Sequence, residues 1–142
     1  MAIGNKRFLE NLGQNFLANR LDAVAGHFAF PMPFYAANGL QVFGAACTLK
    51  EGLTMYRDAA IRAGVVRMVP RILAEGLVVN GYSNLWVEWD HIDAKGTCLC
   101  SNQVHYVVRR DAAALYPKIE MVEYTVLAFP EVPAAMAMAK TA

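Results

Sequence analysis

The residues able to do chemistry lie on strand-like runs in the second half of the chain. Trp89 and His91 stand two positions apart, as do Gln103 and His105, and Glu123 sits inside the apolar stretch Met121–Leu127. Side chains two apart on a strand share one face. Two histidines, a tryptophan and a glutamine on one concave wall would make a site for proton transfer or polar recognition. A carboxylate such as Glu123, drawn into an apolar wall, gains a raised pKa and can act as acid or base near neutrality. The bland reading is that these are exposed or internally satisfied sheet residues. For Glu123 it is an ion pair with Arg71 or Arg109, and Tyr124 takes the opposite face.

Whether these groups converge depends on one register. Asp93-Ala-Lys-Gly96-Thr97 has the chemistry of a type I turn with Gly96 in the left-handed region. That turn pairs Trp89 with Ser101 and Val87 with Gln103, and it brings His105 to the Trp89 face. The hydrophobic pattern asks for a shift of one residue, with Leu85, Val87 and Trp89 facing Tyr106, Val104 and Asn102. A slip of one flips a whole strand face. Turn chemistry is taken as the guide here, so Trp89, His91, Gln103 and His105 are expected to look inward together.

The elements that must carry these residues are legible in order. Phe8, Leu9, Leu12, Phe16, Leu17, Leu21, Val24 and Phe28 recur at helical spacing, with a break expected at Gly13 or in Asn19–Asp22 and Asp22 as a possible second N-cap. Pro31 and Pro33 end this stretch. Phe34–Ala36 and Leu40–Phe43 read as a short hairpin around Asn38-Gly39. Thr48-Leu-Lys-Glu51 reads as a capping box opening a helix with Leu49, Leu53, Tyr56 and Ala60 on one stripe and Gly64 as its stop. Four strand-like runs follow, roughly 65–79, 82–93, 97–110 and 118–129. Pro70 places the first at an edge or bulge, and the last, apolar on both faces, reads as central. Helices first and a long meander after imply an α+β fold, a curved antiparallel sheet with helices on one face.

Composition bounds the rest. A chain of 142 residues makes one domain, expected over residues 1–130, with a weakly helical apolar tail at 131–142 that is frayed or straps a partner. The hydrophobic fraction of 56% is high for a soluble domain, which calls for an apolar cavity, a buried partner face, or both. A net charge of +1 with scattered Lys and Arg argues against nucleic-acid or membrane binding. No apolar run reaches the length of a membrane span, and Met1 to Arg20 has no signal-like apolar core. Three cysteines fit a reducing compartment, and cytoplasm is the expected location. Cys98-Leu-Cys100 lacks the paired spacing of structural zinc, so no metal site is expected and small buried hydrophobes are the ordinary role. His27 suggests a favourable charge at a helix C-terminus. Phosphate loops, dinucleotide fingerprints, H-E-x-x-H and G-x-S-x-G are absent, and no cofactor is expected.

The element order resembles the NTF2-like superfamily, which includes SnoaL-like and ketosteroid-isomerase-like proteins. The carriers are the Phe8–Phe28 stretch, the Phe-Pro-Met-Pro-Phe-Tyr segment at 30–35, the helix at 48–64 and the Trp-x-x-x-Asp-x-x-Gly hairpin at 89–96. The resemblance spans residues 6–129. It implies a cone-shaped, strongly curved antiparallel sheet whose helices close a cavity, a small, largely apolar ligand, and a homodimer through the outer sheet face. Ligand-binding candidates are then Tyr35, Tyr56, Trp89 and Gln103, and catalytic candidates Glu123, His91 and His105. The alternative is an acid–base enzyme, an isomerase, cyclase or dehydratase acting on a ketone- or polyketide-like substrate. No catalytic set of that family aligns residue by residue. A third reading is an interaction module docking through the outer sheet, motivated by Trp86 and Ile92.

Overall fold

A computed structural model describes residues 3–37 and 39–132. The turn residue Asn38 and the tail at 133–139 lie outside the described residues. The elements in chain order are α1 (Asn5–Leu17), α2 (Leu21–Ala25), β1 (Met32–Ala36), β2 (Gly39–Phe43), α3 (Ala46–Ala63), β3 (Val65–Glu75), β4 (Tyr82–Asp93), β5 (Cys98–Arg109) and β6 (Lys118–Val126). The strands form one curved, unclosed sheet in the order β2-β1-β6-β5-β4-β3. The α+β expectation holds, with one amendment. The sheet is mixed, because β1 runs parallel to β6, joining them through Phe34–Val122 and Tyr35–Glu123. Every other neighbouring pair is antiparallel.

The helical stripe behaves as its spacing demands. Phe8, Leu9, Leu12 and Phe16 are buried on one side of α1, each burial contributing about 1.5–3 kcal/mol. The break falls at Ala18–Arg20, where Asn19 takes φ 62°, while Gly13 continues the helix. Asp22 lies in the first turn of α2 instead of capping it, and it pairs with Lys50 at 3.1 Å. The Arg57 side chain of α3 donates to the Leu17 carbonyl at 2.8 and 3.2 Å, tying α3 to the C-terminus of α1 with a cation where the helix dipole favours one. Helix α3 starts two residues before the predicted Thr48. Thr48 is therefore the third helical residue, and its hydroxyl donates back to Ala45 O at 2.8 Å.

Strand β3 is the edge that Pro70 requires, and it ends at Glu75. Strand β6 is interior, between β1 and β5. The β4–β5 hairpin corrects the expected register. Leu85 pairs with Tyr106, Val87 with Val104 and Trp89 with Asn102, as the hydrophobic pattern asks. The turn is nevertheless formed: Asp93 N donates to Thr97 O at 2.9 Å, Gly96 N to Asp93 O at 3.0 Å, and Gly96 has φ 83°. One residue reconciles the two. Ile92 pairs with Cys98 but His91 pairs with Cys100, so Leu99 is bulged out of the ladder. Burying one strand face outweighs unbroken pairing, and an extra residue near the turn absorbs the difference.

Candidate functional site

The inner face of the sheet and the three helices border a half-open cavity of about 110 Å³. Leu12, Gly13 and Phe16 of α1, Leu53 and Tyr56 of α3, and Met68, Trp89, Asn102, Tyr106 and Tyr124 of the sheet are among its lining residues. Gly13 matters for close approach. A Cβ built there would lie 2.9 Å from the Trp89 ring and 3.4 Å from Met68 O. Only a glycine lets α1 sit this close to the indole.

Polar groups in this apolar space form a directed chain. His91 is fully buried and packs beside Tyr56 and Phe129. Its Nδ1 lies 3.1 Å from Trp89 O. A carbonyl can only accept, so Nδ1 carries the proton and Nε2 is left as an acceptor. Nε2 lies 2.8 Å from Tyr56 Oη, which must then donate to it. Tyr56 Oη in turn accepts from Asn102 Nδ2, and the amide is oriented by Ala128 N donating to Asn102 Oδ1 at 2.6 Å. Separately, Trp89 Nε1 donates to Tyr106 Oη at 2.9 Å. Burial is the largest influence on both members of the Tyr56–His91 pair. It pushes the phenol well above its ordinary range and the imidazole below its own, the latter against the pull of the Trp89 and Cys100 carbonyls. The neutral pair is the resting form.

The expected convergence of candidates is corrected by the bulge at Leu99. Trp89 and Tyr56 line the cavity and His91 stands behind Tyr56. Gln103, His105 and Glu123 share the opposite, outer face, and Tyr35 is exposed there too. His105 stacks on Trp86 at 4.8 Å with ring planes 7° apart, and its ring nitrogens lie 2.7 Å from Asn84 Oδ1 and 3.3 Å from Glu123 Oε1. Glu123 is thus paired with His105. Arg71 forms ion pairs with Glu88 and Asp90, and Arg109 with Glu120. His27 is not a helix-end charge. Burial, with Lys118 adding to it, lowers its pKa, and its ring packs between Phe8 and Tyr116. Cys98 is exposed and Cys100 half-buried, against the expectation of two buried thiols.

Sequence reasoning does not single out three of the lining residues. Asn102 and Tyr106 are hidden by the register choice, since only the hydrophobic register turns them inward beside Trp89. Tyr124 is placed correctly opposite Glu123, but that face proves to be the cavity side.

No protein-family model and no curated protein matches the sequence. Solved structures do match. Aln2 from a Streptomyces species superposes with TM-score 0.59 over 98% of this chain and 99% of its own, at 12% identity. An NTF-2-like protein of unknown function from Shewanella oneidensis gives 0.58 over 83% and 93%, at 15% identity. The chain has the NTF2-like fold. A further match is a Catenulispora acidiphila structure in complex with S-DNPA, with TM-score 0.58 over 83% of this chain and 88% of that one, at 12% identity. Among the described residues, no helix is long and apolar enough to cross a membrane.

Proposed function

We propose that this protein binds a small, largely apolar molecule in the cavity between the helices and the inner sheet face. The observation that carries the reading is the cavity itself, walled by Phe16, Leu53, Met68, Trp89 and Tyr124 with few polar groups. Its volume of about 110 Å³ is of the order of the roughly 150 Å³ apolar cavity that takes benzene, which suits a compact, ring-sized ligand. The neighbour described in complex with S-DNPA supports ligand binding as a use of the fold.

The second reading is an acid–base enzyme of isomerase or lyase type. The 2.8 Å contact between Tyr56 and His91 favours it, because a phenol facing the cavity with an imidazole behind it can relay a proton. Two features rank it second. No Asp or Glu among the described residues lining the cavity offers a base, and burial moves the Tyr56 and His91 pKa values apart, so proton transfer between them is uphill.

The outer face is proposed as a homodimer surface. A row of paired residues crosses it, from Leu40 through Tyr35, Glu123 and His105 to Trp86, with Leu40, Tyr35 and Trp86 exposed. Light scattering at micromolar concentration tests it, and a monomer mass refutes it.

Toluene titration tests the binding reading, followed by Trp89 fluorescence in a Trp86→Phe background. Saturable binding that Leu53→Phe weakens at least tenfold, with the fold retained by circular dichroism, is the expected result. Binding undisturbed by Leu53→Phe would place the ligand elsewhere.

A further inference from the structure

Most of the described residues lining the cavity sit on α1–α3 or on paired strands, and Phe28 sits on a bridge to Ile119. Leu127 and Val132 are different. They lie on the segment that follows β6, whose last ladder pair is Val126 with Gln103. Between them Phe129 is buried, its ring 5.3 Å from that of Tyr56 and 5.7 Å from that of His91. Apolar side chains therefore hold this segment against the cavity, while its backbone has few ties. Among the described residues, one hydrogen bond joins 127–132 to the rest of the protein, from Ala128 N to Asn102 Oδ1 at 2.6 Å. The bond from Val132 N to Phe129 O, 3.1 Å long, is internal to the segment. A stretch with so few backbone bonds to its surroundings opens at lower cost than the ladder beside it. We propose that residues 127–132 form a gate over the cavity, latched by Asn102 and opened when Ala128 and Phe129 leave their sites together.

The acceptor side of the latch is fixed. Asn102 is buried and pairs with Trp89 in the β4–β5 ladder. Its Nδ2 donates to Tyr56 Oη, which donates to His91 Nε2, and His91 Nδ1 is held by Trp89 O. This chain sets which way the amide points, with its oxygen toward Ala128. The buried Tyr56–His91 pair thus has a positioning part that needs no proton transfer. Phe129 packs on the same two rings, so latch and anchor meet at one pair of side chains. Opening breaks one hydrogen bond, which water can replace at Asn102 Oδ1, and leaves every ladder pair intact. A ligand in the cavity gives Leu127 and Val132 more surface to pack on, so it favours the closed gate.

The proposal rests on binding in the cavity, but its first test needs no ligand. Amide hydrogen exchange by NMR, corrected for intrinsic rates, compares Ala128 with Tyr106 on the interior strand β5. Ala128 is expected to exchange about a hundredfold faster or more, and saturating toluene should slow it. Exchange of Ala128 as slow as that of Tyr106 would mean that the segment opens only with global unfolding. That result, or exchange that bound toluene leaves unchanged, overturns the gate and leaves the binding reading intact. The second test is Phe129→Ala, because Phe129 anchors the segment yet is not among the described residues lining the cavity. Toluene should enter and leave this variant about tenfold faster or more by NMR exchange line shapes, with Kd moved less than about twofold. Phe129→Leu, the milder change, should shift both rates the same way and serves if Phe129→Ala does not fold. A residue that is only part of the wall would change dissociation and affinity while leaving entry unaltered, and that pattern overturns the gate alone. Toluene that does not bind at all overturns the gate together with the apolar-ligand reading.

Discussion

Replacing Gly13 by alanine sets two known effects against each other. In a helix interior the change ordinarily stabilises by about 1 kcal/mol, because alanine loses less backbone entropy on folding. At Gly13 the added methyl would meet the Trp89 ring at 2.9 Å and a backbone oxygen at 3.4 Å. The indole cannot simply turn aside, since its N–H is held by Tyr106 and its strand lies between β3 and β5. Overpacking of this kind costs about 1–3 kcal/mol. The cost wins, and Gly13→Ala should destabilise by about 1 kcal/mol, lowering the melting temperature by about 4 °C for a chain of this size. Urea unfolding followed by circular dichroism measures it. Gly44→Ala, where nothing lies within 4 Å, should be neutral or slightly stabilising. In a Trp89→Phe background the clashing ring is shorter, and Gly13→Ala should regain its helical advantage, a coupling of about 1 kcal/mol or more. If Gly13→Ala stabilises the parent protein by the full helix increment, Trp89 is free to move and the close approach of α1 does not shape the cavity.

The buried histidines set a pH dependence. His91 and His27 have folded pKa values below the unfolded value, both chiefly through burial. The stability tied to their neutral forms is complete above about pH 6.5 and falls as acid protonates the unfolded chain, by at most about 1.4 kcal/mol per pH unit for each. Urea midpoints between pH 7.5 and 5.5 should drop and His91→Gln should flatten the slope, whereas an equally steep slope in the variant would refute the assignment. Nitrogen-15 NMR should find His91 as the Nδ1–H tautomer with an unprotonated Nε2, and a protonated Nε2 would break the derived direction of the chain through Tyr56. Deleting Leu99 removes only the bulged residue and keeps both the turn and the facing of every later side chain. That variant should fold within about 2 kcal/mol of the parent, whereas deletion of Gln103 shifts the register and should not fold. Equal damage from both deletions would count against the bulge as the device that reconciles the two registers.

Much of the fold was legible because burial leaves a periodic trace. The α1 stripe from Phe8 to Phe16, the edge position of Pro70 and the interior position of β6 each follow from one local rule. The parallel β1–β6 pairing was not legible, since no neighbouring residues encode a contact between Phe34 and Val122. The site was half legible for a related reason. Trp89 and Tyr56 announce themselves as large side chains at the right period. Asn102 and Tyr106 depend on the facing of a whole strand, and that facing was decided by Leu99, a residue with no signal of its own. Two local rules, turn chemistry and hydrophobic alternation, disagreed by one residue, and a bulge let both be true. The same bulge carries His105 to the outer face and leaves Glu123 as its partner there.

The central claim is that the cavity holds a small apolar molecule, and crystals equilibrated with bromobenzene test it most directly. The account predicts an anomalous bromine peak inside the cavity, within van der Waals contact of Phe16, Leu53, Trp89 and Tyr124. A cavity filled only by ordered water or by collapsed side chains, with bromine found solely on the outer sheet face, would contradict it.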